Sequence, residues 1–336
     1  MSDYSTIFAT GFIADAPDEG TIFPSAGGNS ANPAVQAVYW RCLTVLFASA
    51  RINNPDQRLV LFSNVVPPVV DGHDLGQVLA HYGVEHRLLP LTTRLARDLT
   101  PAWGNVLYFF DILESLADEP AETRLAIVDS DIVVTGALAP LFGLLDQADY
   151  ALYEIDTKPD ENVNGLTRRA MGAIAGAIRG EGDAGLVPHY GGELFVAALA
   201  TWRRDRHVFR ALLEQAGAGA GPAADVRTEE HVYSIAAEVL QAPVIGADAY
   251  IKRIWTNLKH STVEPGDEAY LLWHMPAEKR YGFEYIFADM AKRGFPTDIK
   301  PTEFLRLAQR HCGVPTKSPI KFLRDGWRQV IARLVR

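Results

Sequence analysis

Two aspartates one residue apart, Asp129 and Asp131, stand where one apolar run ends and another begins: Arg124–Gly136 reads RLAIVDSDIVVTG. A short apolar run rich in β-branched residues and bounded by turn signals predicts a buried central strand. Side chains alternate along a strand, so Asp129 and Asp131 leave on one side and Ser130 on the other. Two carboxylates at the end of a buried strand are costly unless a cation meets them. Oxygen ligands suit Mg²⁺ or Mn²⁺, so this spacing points to a divalent metal. Three more stretches hold chemistry-bearing groups: Gly191-Gly192-Glu193, then Thr228-Glu229-Glu230-His231, then His274 with Lys279-Arg280 after it. Glycine lets a backbone approach a ligand closely. Acids after a Thr N-cap also complement a helix dipole without any ligand.

Strands and helices alternate around these residues. Thr6–Phe12 reads as a first strand, Arg58–Ser63 as a second, Val84–Leu89 as a third, the aspartate run as a fourth and Tyr150–Glu154 as a fifth. Asn32-Pro33 starts a helix to about Ala50, with Asn at the N-cap and Pro in the first turn. Asp74–Tyr82, Asn164–Arg179, Thr201–Gln215, Thr228–Leu240, Phe283–Lys292 and Thr302–Cys312 have helical spacing. Val244–Trp255 reads as a strand pair and Ala269–His274 as a late strand. Such alternation implies βαβ units and a mostly parallel sheet, with ligands beyond the carboxyl ends of the strands.

The chain has 336 residues, enough for one large α/β domain or two lobes, and 48% of them are hydrophobic, enough for a sizeable core. A formal net charge of -9 argues against a general nucleic-acid binder. Cys42 and Cys312 belong to no CxxC pair, which fits unpaired thiols in a reducing compartment. The N-terminal segment lacks a basic region followed by a long apolar one, and no long apolar run is free of charge. A cytoplasmic protein is expected.

The aspartate stretch resembles the metal-binding DxD segment of nucleotide-sugar glycosyltransferases of the GT-A fold, closest to family 8-type retaining enzymes. The amphipathic segment Val106–Leu116 before it and Pro140-Leu141-Phe142 after it fall in the order of that family. The resemblance implies a Rossmann-like α/β domain over 1–300, with a nucleotide-binding half to 150 and a donor-sugar and acceptor half from 151, followed by a helical extension over 301–336. It places the nucleoside near Ala9, Thr10 and Gly11, and the donor on Asp129, Ser130 and Asp131. The segment around Gly191, Gly192 and Glu193 resembles the family's F-N-[AS]-G turn, which puts Glu193 near the anomeric carbon. Glu229, Glu230 and His231 resemble its D-Q-D segment, with Glu230 toward the reacting side of the sugar. His274 is implied as a third metal ligand beside Asp129 and Asp131, favouring Mn²⁺ over Mg²⁺, and Lys279 or Arg280 as the cation for the departing diphosphate. The implied reaction is transfer from a nucleoside diphosphate sugar, a UDP-sugar, to a glycan, lipid-linked or small-molecule acceptor, with retention. The family's basic residue before the DxD is absent, since Phe109, Phe110 and Asp111 stand there; Arg94 or Arg97 is the substitute within reach.

Other readings stay open. Asp129–Val133 also fits the D-x-D-x-[TV] motif of haloacid dehalogenase-like phosphatases, although that motif normally lies on a first strand. A non-catalytic sugar-nucleotide-binding protein is a third reading. Arg168-Arg169 either reach a phosphate or acceptor, or form a solvated helix face. In Lys317–Arg336 the residues Ile320, Leu323, Trp327, Val330, Ile331 and Leu334 make an apolar stripe flanked by Lys317, Lys321, Arg324 and Arg328. Such a helix either lies on an anionic membrane surface or packs on the protein with a solvated basic edge.

Overall fold

A computed structural model describes residues 4–16, 22–23, 28–95, 104–257, 260–316 and 318–334. Gly27, Arg97 and Lys317 lie outside the described residues, as do the side chains of Arg328, Val330, Ile331 and Leu334. The chain runs through β1 (Thr6–Phe12), α1 (Pro33–Asn53), β2 (Arg58–Ser63), α2 (Leu75–His81), β3 (Val84–Leu88), α3 (Tyr108–Ser115), β4 (Arg124–Val128), β5 (Ile132–Val134) and α4 (Ala139–Gly143). It continues through β6 (Tyr150–Glu154), α5 (Arg168–Arg179), β7 (Tyr190–Ala198), α6 (Leu199–Ala218), α7 (Glu229–Leu240), β8 (Val244–Gly246), β9 (Ile251–Arg253) and β10 (Leu272–His274). Helices α8 (Gly282–Lys292), α9 (Pro301–Cys312) and α10 (Pro319–Leu334) end it.

Seven strands form the central sheet in the order β8-β6-β7-β4-β1-β2-β3. Only β7 runs against its neighbours, β4 and β6; the pairs β1–β2, β1–β4, β2–β3 and β6–β8 are parallel. The expected class, α/β with a mostly parallel sheet flanked by helices and a C-terminal helix, is what the molecule has. The strands read as unbroken apolar runs because helices cover both faces. Alternation divides β1 between two cores: Phe8 and Phe12 pack with α1 and α8, while Ile7 and Ala9 pack with α3 and α6. Helix α1 starts where its sequence says it should. Asn32 Oδ1 accepts the Ala34 amide at 2.9 Å, and Pro33 fills the first position, whose amide has no partner in any helix.

Three expectations change. The run Arg124–Gly136 is not one strand. Strand β4 ends at Val128, residues 129–131 form a turn, and β5 pairs in a second, three-stranded sheet, β9-β10-β5. Val244–Trp255 likewise divides between the two sheets, with β8 in one and β9 in the other. The helix expected from Asn164 begins at Arg168, because Thr167 caps it through the Ala170 amide at 3.0 Å and Asn164 adopts a left-handed φ of 53°. Helix α9 packs into the core, where Phe304, Leu307, Ala308 and Cys312 join the apolar cluster around α1 and α8. Both cysteines are buried and unpaired. No helix among the described residues is long and apolar enough to cross a membrane.

Candidate active site

The turn 129–131 leaves the carboxyl end of β4 at the middle of the central sheet, and β10 arrives beside it. Strand β10 runs antiparallel to β5 with His274 opposite Ile132, the residue after Asp131. This pairing converges ligand atoms of Asp129, Asp131 and His274 to within 4.8 Å of one another. His274 Nε2 lies 3.3 Å from Asp129 Oδ2 and 3.3 Å from Asp131 Oδ2. Asp131 is fully buried, whereas the Asp129 side chain is 46% exposed. Lys279, just beyond the turn after β10, brings its ammonium to 2.8 Å from Asp131 Oδ1.

The charges follow from that packing. Burial alone would raise the Asp131 carboxyl, but the Lys279 ammonium and the His274 ring hold it well below the usual carboxylate range. Burial likewise opposes protonation of His274, yet Asp131, Asp129 and Glu193 outweigh it and raise its pKa. The site thus draws positive charge inward. The donor set suits a divalent ion: two carboxylates and an imidazole whose Nδ1 faces Glu193 Oε1 at 3.1 Å, which leaves Nε2 toward the aspartates. A metal taking that nitrogen would displace its proton.

Glu193 was expected beside the sugar. Both of its oxygens are taken, at 2.7 and 2.8 Å from the Arg253 guanidinium, and the side chain is 1% exposed. Against burial, Arg253 and His274 hold its pKa down to about 2. A carboxylate so engaged orients His274 and is no free nucleophile. Glu230 was expected to face the reacting side, but it too is engaged: Asn164 donates to one oxygen and His189 Nε2 stands 3.4 Å from the other. It fastens the loop before α5 to the start of α7. His231 helps, with Nε2–H donating to the Val163 carbonyl at 2.9 Å.

A cavity of about 600 Å³ opens beside the aspartates. Thr10, Gly11, Asp129, Ser130, Asp131, Gly192, Glu193, Glu230, His274 and Lys279 all line it. Ala9 does not; two residues before Gly11 on the same face of β1, it is fully buried in the cluster with α3. Arg280 does not, being exposed past the turn. Gly191 sits behind the wall. A Cβ there would lie 2.1 Å from Glu193 Oε2, and one at Gly192 would lie 2.0 Å from Glu229 Oε1. The glycine pair therefore makes room for two carboxylates. Arg94 lines a separate groove with Asp111 and Arg210. Arg168 donates to the Val187 and Thr157 carbonyls, and Arg169 pairs with Asp160, so neither reaches the cavity.

Sequence reasoning named Glu229 only as part of the acidic segment and missed Arg253, Asn105 and Trp255; all four line the cavity. Glu229 Oε2 is buried with no hydrogen-bond partner, and so is the Tyr233 hydroxyl one turn along α7. Burial, with Glu230 and Asp129 nearby, pushes the Glu229 carboxyl well above its usual range. Neighbouring acids at a helix start were the one available signal. Arg253 carried none, since its partner lies 60 residues away. At the far end Phe12, Ile13 and Tyr108 make an apolar wall. There a Cβ on Gly11 would meet Ile112 at 2.7 Å.

No protein-family model matches the chain, and no curated protein does. Among solved structures the chain is similar to the galactosyltransferase LgtC in complex with donor and acceptor sugar analogs, at 13% identity and a TM-score of 0.45 over 92% of this chain and 97% of that one. It is similar to an active-site mutant of LgtC with the same identity and coverage and a TM-score of 0.43. It is also similar to the glycosyltransferase GlyE of Streptococcus pneumoniae TIGR4, at 13% identity and a TM-score of 0.37 over 73% of this chain and 46% of that one.

Proposed function

We propose that this protein is a metal-dependent glycosyltransferase that moves a sugar from a nucleoside diphosphate sugar, a UDP-sugar, to an acceptor hydroxyl with retention. The observation that carries the reading is the meeting of Asp129, Asp131 and His274 at the wall of a cavity of about 600 Å³, with Lys279 beside them. That volume is within the usual range for small-molecule sites.

Asp129, Asp131 and His274 would hold the ion, Mn²⁺ by the donor set. When bound, it supplies Lewis-acid stabilisation of charge on the diphosphate. Lys279 adds a fixed positive charge where the C1–oxygen bond to the diphosphate breaks and its electron pair passes to phosphate. Such help counts because that charge grows toward the transition state. Glu193, backed by Arg253, keeps His274 in the tautomer with Nδ1–H. Glu229 offers its free oxygen to the donor sugar. The acceptor oxygen forms the new bond to C1, and its proton leaves with the departing phosphate. The apolar end beside Gly11 and Tyr108 receives the base.

A thermal-shift screen of nucleotide sugars with and without Mn²⁺ tests the reading, since a ligand of the native state alone raises the melting temperature. A metal-dependent shift with UDP-sugars is expected. Mg²⁺-dependent release of phosphate from a generic ester, without any such shift, would favour the phosphatase reading. Binding without donor hydrolysis would favour a non-catalytic protein.

The proposal includes peripheral contact with an anionic membrane surface through 317–336. Ile320, Leu323 and Trp327 are 78%, 74% and 67% exposed on one helix. Outside the buried Lys321–Asp325 pair their segment carries five basic residues and no acid, in a chain of net charge -9. Vesicles containing anionic lipid should sediment the wild type and not Leu323→Ser/Trp327→Ser; equal sedimentation removes the idea.

A further inference from the structure

We infer that the C-terminal helix α10 is a working part of the donor site: through Lys321 it fixes the turn that carries Lys279, and so positions the cation for the diphosphate. This rests on the assignment of Lys279 to the donor diphosphate made above.

The turn Pro276–Glu278 lies between β10, which ends in His274, and α8. Its first link is to the acids, for the Met275 amide donates to the Asp131 carbonyl at 3.0 Å. Its last residue, Glu278, is 1% exposed. One Glu278 oxygen accepts the Gly282 amide at 2.9 Å. The other accepts the Thr256 hydroxyl and meets the Lys321 ammonium at 2.6 Å. Lys321 belongs to α10 and is 4% exposed; its ammonium also lies 2.7 Å from Asp325 Oδ2, one turn further along. Its stem crosses Gly313, where an added Cβ would lie 2.8 Å from Lys321 Cδ. Arg324 secures the same helix, with its guanidinium 3.7 Å above the Tyr285 ring and donating to the His311 carbonyl at 3.2 Å.

A buried ion pair is a poor stabiliser compared with apolar residues of equal volume, because desolvation consumes most of the attraction. An apolar contact would hold α10 in place equally well. What the ion pair adds is a fixed distance and direction, and the group it fixes is Glu278. Glu278 and Lys279 are consecutive residues: one side chain goes to α10 and the other to Asp131, 2.8 Å away. A turn held at Glu278 is held at Lys279. Thr256 extends the grip to a cavity wall, since Trp255 lines the cavity.

The test uses full-length protein. Lys321→Met removes the tether and leaves Glu278 with a buried, uncompensated carboxyl. Glu278→Gln/Lys321→Met removes the tether without that charge, and should recover most of the melting temperature the single variant loses. Pyrophosphate and UDP, each with Mn²⁺, are titrated well below the melting temperature of every variant. Mn²⁺ is also titrated alone. Both probes should bind both variants about tenfold more weakly or worse, the scale of a lost hydrogen bond to a charged group. Mn²⁺ alone should bind them no less tightly than the wild type, because its ligands stay in place. Wild-type affinity for both probes in the double variant overturns the inference, as does a parallel loss of Mn²⁺ affinity, which would mean general loosening. A wild type that binds neither probe overturns the assignment of Lys279 itself and takes the inference with it.

Discussion

Replacing Asp131 by Asn changes one oxygen to an amide and removes a charge that two buried cations face. Lys279 is 7% exposed and lies 2.8 Å from the carboxylate, and His274 Nε2 lies 3.3 Å away. Breaking a buried pair by removing one partner typically costs about 3–5 kcal/mol. The lower figure applies here, because the His274 ring keeps Asp129 and Glu193 as partners. Unfolding entropy of about 2.1 cal/mol/K per residue gives about 0.7 kcal/mol/K for a chain of this length, so about 3 kcal/mol lowers the melting temperature by about 4 °C. Calorimetry in chelator measures it without metal. The same reasoning requires recovery: Asp131→Asn/Lys279→Met removes the stranded ammonium and should regain at least half of the loss. A single variant that melts with the wild type, or a double variant no better than the single, refutes the electrostatic account. In the transfer assay Asp131→Asn should cost at least about 10²-fold in Mn²⁺-dependent turnover, as loss of transition-state charge stabilisation does; near-normal turnover refutes the metal role.

Glu193→Gln should weaken Mn²⁺ binding about 10–100-fold with the fold kept, because it loosens the His274 ring and touches no other ligand; titration monitored by Mn²⁺ relaxation measures this. Gly192→Ala puts a methyl group where Glu229 Oε1 now stands 2.0 Å away, so Glu229 must turn out and donor turnover should fall by about tenfold, the scale of one lost hydrogen bond from a buried group, in a protein with native circular dichroism. Away from the site, Arg58 and Arg87 hold Glu119 down to about 2, Arg58 contributing most. Since that folded pKa lies below the unfolded one, its stability is present above about pH 4.5 and lost as the pH falls toward 2. Glu119→Gln should therefore cost about 1 kcal/mol at pH 7 and about a quarter of that near pH 2.5, read by denaturant melts at both pH values.

The elements were legible where local chemistry decides them. Residues 150–154 form a strand as their apolar pattern says, and Asn32-Pro33 opens a helix because a cap and a fixed φ act within three residues. The turn at 129–131 was not legible. Apolar residues flank it on both sides, and periodicity gives no sign that Val128 and Ile132 belong to different sheets. The choice between Glu229 and Glu230 was equally hidden. Successive helix residues point about 100° apart; both line the cavity, and which keeps an unpartnered oxygen there was settled by Asn164 and His189 claiming Glu230. Those partners come from the loop before α5 and from the residue just ahead of β7, about which the helix's own sequence says nothing.

His274 shows the limit most sharply. A histidine at the end of a strand becomes a ligand only through the register of that strand with another. The pairing of His274 with Ile132, Trp273 with Val133 and Leu272 with Val134 sets His274 beside the acids. A slip of one residue would bring Trp273 or Met275 there and turn every side chain of β10 to the other face. Trp273, Leu272 and Met275 are all fully buried in the core around α1, so a slip would expose them or force a repacking. The geometry of the candidate metal site is therefore enforced by the burial of the residues on either side of His274. A mutation that shrinks Trp273 should loosen His274 against Asp129 and Asp131 without touching a polar atom of the site, so Trp273→Leu should lose Mn²⁺ affinity as well as stability. Unchanged Mn²⁺ affinity in a destabilised Trp273→Leu protein would show that the Glu193–His274 contact holds the ring by itself.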